Sequence, residues 1–219
     1  MFVGHVAVAV GASKAAPRVN LGWMVFGALL ADFLLGIFSA LGLEHFSPAP
    51  DFPAKHYFLF AFPYSHGLLA MLVWAAVFGL LLSRHYGQNK KLIGLTAALV
   101  VLSHFLLDGL VHVAGLPLAG SSSFKFGLGL WNHLPLELTI ETVMGVAALA
   151  IYWSLRNGTA LSRWGISTIV GLAAMATWTQ IRLTAPPPQA QLILSWLVTP
   201  PALAAVVYFL DRDRARATM

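Results

Sequence analysis

Residues 92–114 read LIGLTAALVVLSHFLLDGLVHVA, an uninterrupted run without Lys or Arg. It is long enough to cross the ~30 Å hydrocarbon core of a bilayer as a single helix. Five further runs of the same kind fall at about 20–42, 57–83, 130–155, 164–181 and 190–210. The 219-residue chain agrees with them: 58% of it is hydrophobic and 10% charged, with a mean hydropathy of +0.78. That balance excludes an ordinary soluble domain. The expected fold class is an all-α integral membrane protein, a six-span transmembrane helix bundle.

Positive charge reports topology here rather than a partner. The net charge is +5, but the basic residues are dispersed at span ends and form no patch, so no nucleic acid is expected. With Lys14 and Arg18 cytoplasmic, six crossings put Arg84, Lys90, Lys91, Arg156, Arg163, Arg212, Arg214 and Arg216 on the same side. Ten of the thirteen basic residues are then inside, leaving Lys55, Lys125 and Arg182 outside, as the positive-inside rule expects. The expected location is the inner (cytoplasmic) membrane of a bacterium with the C-terminus cytoplasmic. The longer connections, 43–56 and 115–129, would then face the periplasm or exterior.

The opening MFVGHVAVAVGAS, residues 1–13, is apolar but too short to span. Its basic residues follow the apolar run instead of preceding it, unlike a signal peptide, so the segment is expected to be retained. Anchored near Lys14, it would enter the membrane and leave His5 near mid-depth. Residues 1–155 then form the functional core, and 156–219 two scaffold spans without ionisable residues plus the polar tail DRDRARATM. Pro200-Pro201 predicts a kink in the last span, and APPP at 185–188 marks the turn before it.

Within the apolar runs lie four of the chain's eight acidic residues, Asp32, Asp108, Glu137 and Glu141. The same runs and the N-terminal segment hold His5, His66, His104, His112 and His133, with no Lys or Arg among them. Uncompensated charge in hydrocarbon costs several kcal/mol, so such residues mark function by default. Carboxylates and imidazoles without a basic partner call for another cation or for protonated acids, and zero Cys leaves only His and carboxylates to bind one. His104, Asp108 and His112 are four residues apart and share one helix face. His133, Glu137 and Glu141 repeat that spacing on the next span, with Asn132 as expected N-cap. The two stripes are expected to face each other, as in the metal sites of helical bundles. His112 reads equally as a ligand or as an interfacial packing residue, and Glu141 as a ligand or as a carboxylate orienting one. His45, His56 and His85 read as solvated. Trp131, Tyr152, Trp153 and Trp164 read as interfacial anchors.

In chain order the candidates run His5, Asp32, His66, His104-x3-Asp108, His112, His133-x3-Glu137. This order is similar to that of zinc-dependent phospholipase C and its related single-strand nucleases, all-helical enzymes with a trinuclear zinc cluster. The early "GH", the span-borne Asp, the "SHG" around His66 and the H-x3-D helix also resemble the YdjM-type family of membrane-bound metal-dependent hydrolases. The resemblance covers residues 1–155. It implies that Asp32, His66, His104 and Asp108 hold one zinc, with Asp108 bridging to a second near His5. His112, His133 and Glu137 would hold another, and the Met1 amine would take the place of the family's terminal Trp amine. The chain departs from the pattern in beginning with Met, in the closeness of Asp108 and His112, and in LLADFLL, which lacks a second Asp.

The expected function is a membrane-embedded, zinc-dependent hydrolase with one to three ions, acting on a phosphoester of a lipid or lipid-linked substrate at the exterior leaflet. Asp108, Glu137 and Glu141 are its candidate catalytic carboxylates, and AGSSSFKFGLG, 119–129, with Lys125, the candidate cover of its entrance. The alternatives are a proton or metal-ion translocator, a zinc amidase acting on ceramide-like lipids, and a purely structural zinc site. A translocator should carry its polar path to both faces, whereas here the cytoplasmic halves of the spans are apolar.

Overall fold

The computed structural model describes residues 1–86, 88–155 and 159–216. Arg156, counted above with the basic side, and the tail residues 217–219 lie outside them. The chain is helical apart from two short hairpins. In order it forms α1 (Phe2–Ala12), α2 (Leu21–Ala28), α3 (Leu30–Ala40), β1 (His45–Pro48), α4 (Phe52–Lys55), β2 (Phe58–Ala61), α5 (Leu68–His85) and α6 (Lys90–Val111). Then follow β3 (Val113–Pro117), β4 (Lys125–Leu128), a 3-10 turn (Leu130–His133), α7 (Leu134–Trp153), α8 (Ala160–Trp178), a second 3-10 turn (Thr179–Arg182) and α9 (Gln189–Arg216).

Four of these helices are long and apolar enough to cross a membrane: α5, α6, α7 with its leading turn, and α9 as far as Arg214. A fifth span exists if α2 and α3 are counted as one. The six-span expectation is corrected on two points. Residues 20–42 are not one straight helix, because α2 and α3 meet at a 50° bend at Leu29. α8 is not among the qualifying spans, since Arg163 sits in its first turns and Ser162, Ser167, Thr168 and Gly165 dilute its apolar character.

α1 is apolar on every side, and a helix of that kind must be buried. Val3, Val6, Ala7, Ala9 and Val10 are all within the core, where α1 packs on α2, α6, α7 and α8. The α5–α6 pair approaches closely because glycine meets glycine. A Cβ on Gly79 would lie 2.5 Å from the Gly94 carbonyl oxygen, so small residues set this crossing. α2 and α3 lie along α9, which runs through Pro200 and Pro201 without ending.

One pole of the bundle gathers the α1–α2 connection with the C-terminal ends of α5, α7 and α9. α9 does not give way to a solvated tail at Asp211. The Asp211 carboxylate is fully buried and accepts from Arg214 Nε at 2.5 Å and Nη2 at 2.6 Å, Tyr152 Oη at 2.7 Å and the Leu21 amide at 2.8 Å. Arg214 also donates to the Pro17 and Val19 carbonyls. The expected polar tail is thus partly a buried clamp on the start of α2, and Tyr152 belongs to it instead of serving as an anchor. Asn20 caps α2 through Gly22, and its own amide donates to Tyr86 Oη. Burial pushes the Tyr86 phenol up.

The opposite pole holds both hairpins. β1 pairs with β2 and β3 with β4, each antiparallel. Neither was foreseen, because each strand is only four or five residues long and no helical or alternating pattern survives in so short a run.

Candidate metal centre

The site forms where the N-terminal part of α1, the α2–α3 bend, the turn leading into α5 and the C-terminal part of α6 meet. At the bend the Ala28 carbonyl accepts from His104 Nδ1 at 2.7 Å. A carbonyl can only accept, so Nδ1 carries the proton and Nε2 presents its lone pair inward. Asp32, in the first turn of α3, reaches the same point from the other side of the break.

His66 sits in the tight turn that starts α5. The turn needs Gly67, since a Cβ there would lie 2.5 Å from the Pro63 carbonyl oxygen. His66 Nδ1 lies 2.8 Å from Ser65 Oγ, and Ser65 Oγ donates to Glu44 Oε2 at 2.6 Å. With the hydroxyl proton committed to the carboxylate, His66 Nδ1–H donates to Ser65, and its Nε2 also presents a lone pair. Burial pushes the Glu44 carboxyl up, against the downward pull of its hydrogen bonds from Ser65 and Tyr64.

The two Nε2 atoms stand 3.2 Å apart. Two lone pairs facing each other at that distance repel unless a cation or a proton lies between them. Ligand nitrogens about 2.05 Å from a tetrahedral zinc are roughly 3.3 Å apart, so the pair fits an ion of that size. Asp108 Oδ2 completes the group at 3.4 Å from His104 Nε2 and 3.6 Å from His66 Nε2, and Asp32 Oδ1 lies 3.9 Å from both. The trio Asp32, His66 and His104 and the trio His5, His104 and Asp108 could each hold a metal ion.

Asp108 is the hub. Its Oδ2 is also 3.4 Å from His112 Nε2, and its Oδ1 is 3.1 Å from His5 Nε2 and 3.7 Å from the Met1 amine. The His5 ring stacks on that of His104, with centroids 3.7 Å apart and planes 6° from parallel. His5, His66, His104, Asp108 and His112 are all buried, while Asp32 is half-buried and faces the cavity.

Glu137 and Glu141 are buried on α7 and line the same cavity, but α6 and α7 do not simply face each other. The start of α1 packs between their carboxylates. Glu141 Oε2 accepts from the Val3 amide at 2.6 Å and the Gly4 amide at 3.1 Å, capping α1 from a distance. His133 departs from its expected role. It is exposed on the 3-10 turn, as the N-cap of α7 in place of Asn132, and does not line the cavity. The four-residue rule fails for it because the helix begins only after it. Among the described residues, no trio of ligand atoms close enough to share an ion includes Glu137.

From this cluster a cavity of about 390 Å³ leads outward past Phe60, Phe62, Tyr57 and Trp131 to Leu192 and Trp196 of α9. Trp131, read above as an interfacial anchor, belongs to the cavity wall: its ring lies 4.0 Å from that of His112 and stacks near Tyr57. His56, expected to be solvated, is half-buried in the wall beside Lys55. Residues 119–129 and Lys125 do not line the cavity, because β3 and β4 pair with each other to one side. α9 is likewise more than scaffold, since Ser195, Thr199 and Pro200 face the cavity.

Compared with protein-family models, with characterised proteins and with solved structures, the chain finds no match in any of the three. The reading of the centre therefore rests on its own residues. Those that sequence reasoning missed are Glu44 and Ser65. Glu44 lies 21 positions before Ser65, in a connection with no periodicity, and the only local signal was the Ser beside His66.

Proposed function

We propose that the chain is a membrane-embedded, metal-dependent hydrolase acting on a phosphoester of a lipid or lipid-linked substrate. The observation that carries this reading is a buried His and carboxylate cluster without Lys or Arg that opens into an aromatic-walled cavity. Asp32, His66, His104 and Asp108 would hold the ion. His and carboxylate donors without thiolate suit zinc, which when bound lowers the pKa of a water towards neutrality and draws charge from a phosphoryl oxygen.

The protein's own groups divide the remaining work. Ala28 and Ser65 fix the two imidazoles so that both Nε2 atoms converge. His5 and the Met1 amine hold Asp108 Oδ1, leaving Oδ2 to the centre. Glu141 is committed to the α1 amides, so Glu137 is the carboxylate we assign to proton transfer. Phe60, Phe62, Trp131 and Trp196 exclude water and offer the apolar contact a lipid tail needs. The basic pole would face the cytoplasm and the centre the exterior leaflet, by the positive-inside rule. This is the arrangement of an inner-membrane protein with its C-terminus inside.

A translocator is less well supported. Behind the cluster Met24, Val25, Ala97, Val100 and Val101 are buried and apolar, separating it from the Asp211 clamp. A single-zinc amidase centre of three His and one Asp is also a poorer fit, since the two candidate groups are two His with one Asp each.

The test is metal analysis of the purified protein followed by assay on a panel of lipid phosphoesters in detergent. Bound zinc and turnover, both lost in His104→Ala and turnover alone in Glu137→Gln, are expected. A metal-free protein of full stability, or a metal-loaded one inert on every phosphoester, would overturn the reading.

A further inference from the structure

We infer that Glu44 and Ser65 are positioning residues that select the tautomer of His66 and thereby make its Nε2 a metal ligand. This rests on the metal-centre reading above. The chain of atoms is continuous and buried. Glu44 Oε1 accepts the amides of Tyr64 at 2.7 Å and Ser65 at 2.9 Å, and its Oε2 accepts the Ser65 hydroxyl at 2.6 Å. Ser65 Oγ in turn lies 2.8 Å from His66 Nδ1, and Glu44, Ser65 and His66 are each at least 98% buried.

Direction is what matters in this relay. The two backbone amides can only donate, so they pin one Glu44 oxygen as an acceptor. The other oxygen takes the single hydroxyl proton of Ser65, whose lone pair then receives Nδ1–H of His66. Every step pushes the lone pair to Nε2, the atom 3.2 Å from His104 Nε2. Carboxylates that hold a ligand histidine in this manner, directly or through another group, fix its orientation and raise its basicity.

Glu44→Gln is the sharp probe, because it keeps the shape and reverses the polarity. The amide oxygen must still face the two backbone N–H groups, so the NH2 group faces Ser65 and donates to it. Ser65 then donates to His66 Nδ1, and the imidazole proton moves to Nε2, where it blocks the metal.

The experiment measures Co²⁺ affinity and absorption spectrum, together with 15N chemical shifts of His66 in the metal-free protein. The wild type is expected to carry Nδ1–H with an unprotonated Nε2 and to bind Co²⁺. Glu44→Gln is expected to show Nε2–H and to bind about 10- to 100-fold more weakly. Ser65→Ala should lose affinity similarly, and Ser65→Thr, which keeps the hydroxyl, should restore both affinity and spectrum. Unchanged affinity in Glu44→Gln and Ser65→Ala, or a wild-type His66 protonated at Nε2 alone, overturns the relay. A wild type that binds no Co²⁺ or Zn²⁺ instead removes the metal centre, while the nitrogen shifts still decide the tautomer.

Discussion

Glu141→Ala is expected to damage the protein through α1 rather than through chemistry. The helix starts at Phe2 with no side-chain cap of its own, so its first amides depend on a partner from elsewhere. Glu141 Oε2 supplies it, at 2.6 Å from the Val3 amide and 3.1 Å from the Gly4 amide. Removing the carboxylate strands two buried donors, at about 1–3 kcal/mol each, so the loss should be about 2–6 kcal/mol. Glu141→Gln keeps an acceptor oxygen and forfeits only the charge, and should cost about 1–2 kcal/mol, within the range for an anion at a partly buried helix N-terminus. The measurement is equilibrium unfolding in mixed micelles, followed by far-ultraviolet circular dichroism as the denaturing detergent is raised. Because α1 carries His5, metal occupancy should fall with stability in the Ala variant and hold in the Gln variant. An Ala variant within the ±0.5 kcal/mol typical of surface changes would refute the capping argument. Equal losses in Ala and Gln would assign the effect to charge at the centre instead.

Asp211→Ala should destabilise by about 3–5 kcal/mol, because it leaves a buried guanidinium unpaired. In the same unfolding assay, the double variant Asp211→Leu/Arg214→Met should recover most of that loss. His133→Ala should leave zinc content unchanged, whereas His66→Ala and Asp108→Asn should lower it. Elemental analysis of the three purified variants checks this, and a loss in His133→Ala would return that residue to the centre.

Much of the bundle was legible because the spans are long. α5, α6, α7 and α9 announce themselves by uninterrupted apolar runs, and His104 and Asp108 by a four-residue spacing that any helix would honour. What the sequence concealed was local or distant. The bend at Leu29 has no proline to signal it, and the hydropathy of residues 20–42 reads straight through it. α8 has the length of a span, but its polar composition sets it apart. The facing stripes on α6 and α7 were a sound inference for two adjacent helices, and failed because a third short helix inserts its amides between them. His133 carries the right spacing but lies before the helix begins. Asp211 and Arg214 read as tail because their partners, Leu21 and Tyr152, are 190 and 59 positions away.

The bend at Leu29 also explains how a polar cluster is held inside so apolar a bundle. Irregular backbone is tolerated there only where it is buried in protein or lines a cavity, because hydrocarbon offers it no hydrogen bonds. Here the break is buried, and its backbone serves the centre. It turns the Ala28 carbonyl onto His104 and starts α3 in time to bring Asp32 beside the same imidazole. A straight helix over 21–40 would direct the Ala28 carbonyl along its own axis to the amide of residue 32, the i to i+4 partner, and His104 would lose its acceptor. The proton on His104 would then be free to shift to Nε2, and the lone pair that faces His66 would be lost. One determinant of the centre is therefore a backbone irregularity, to which the polar side chains of three other elements are fitted.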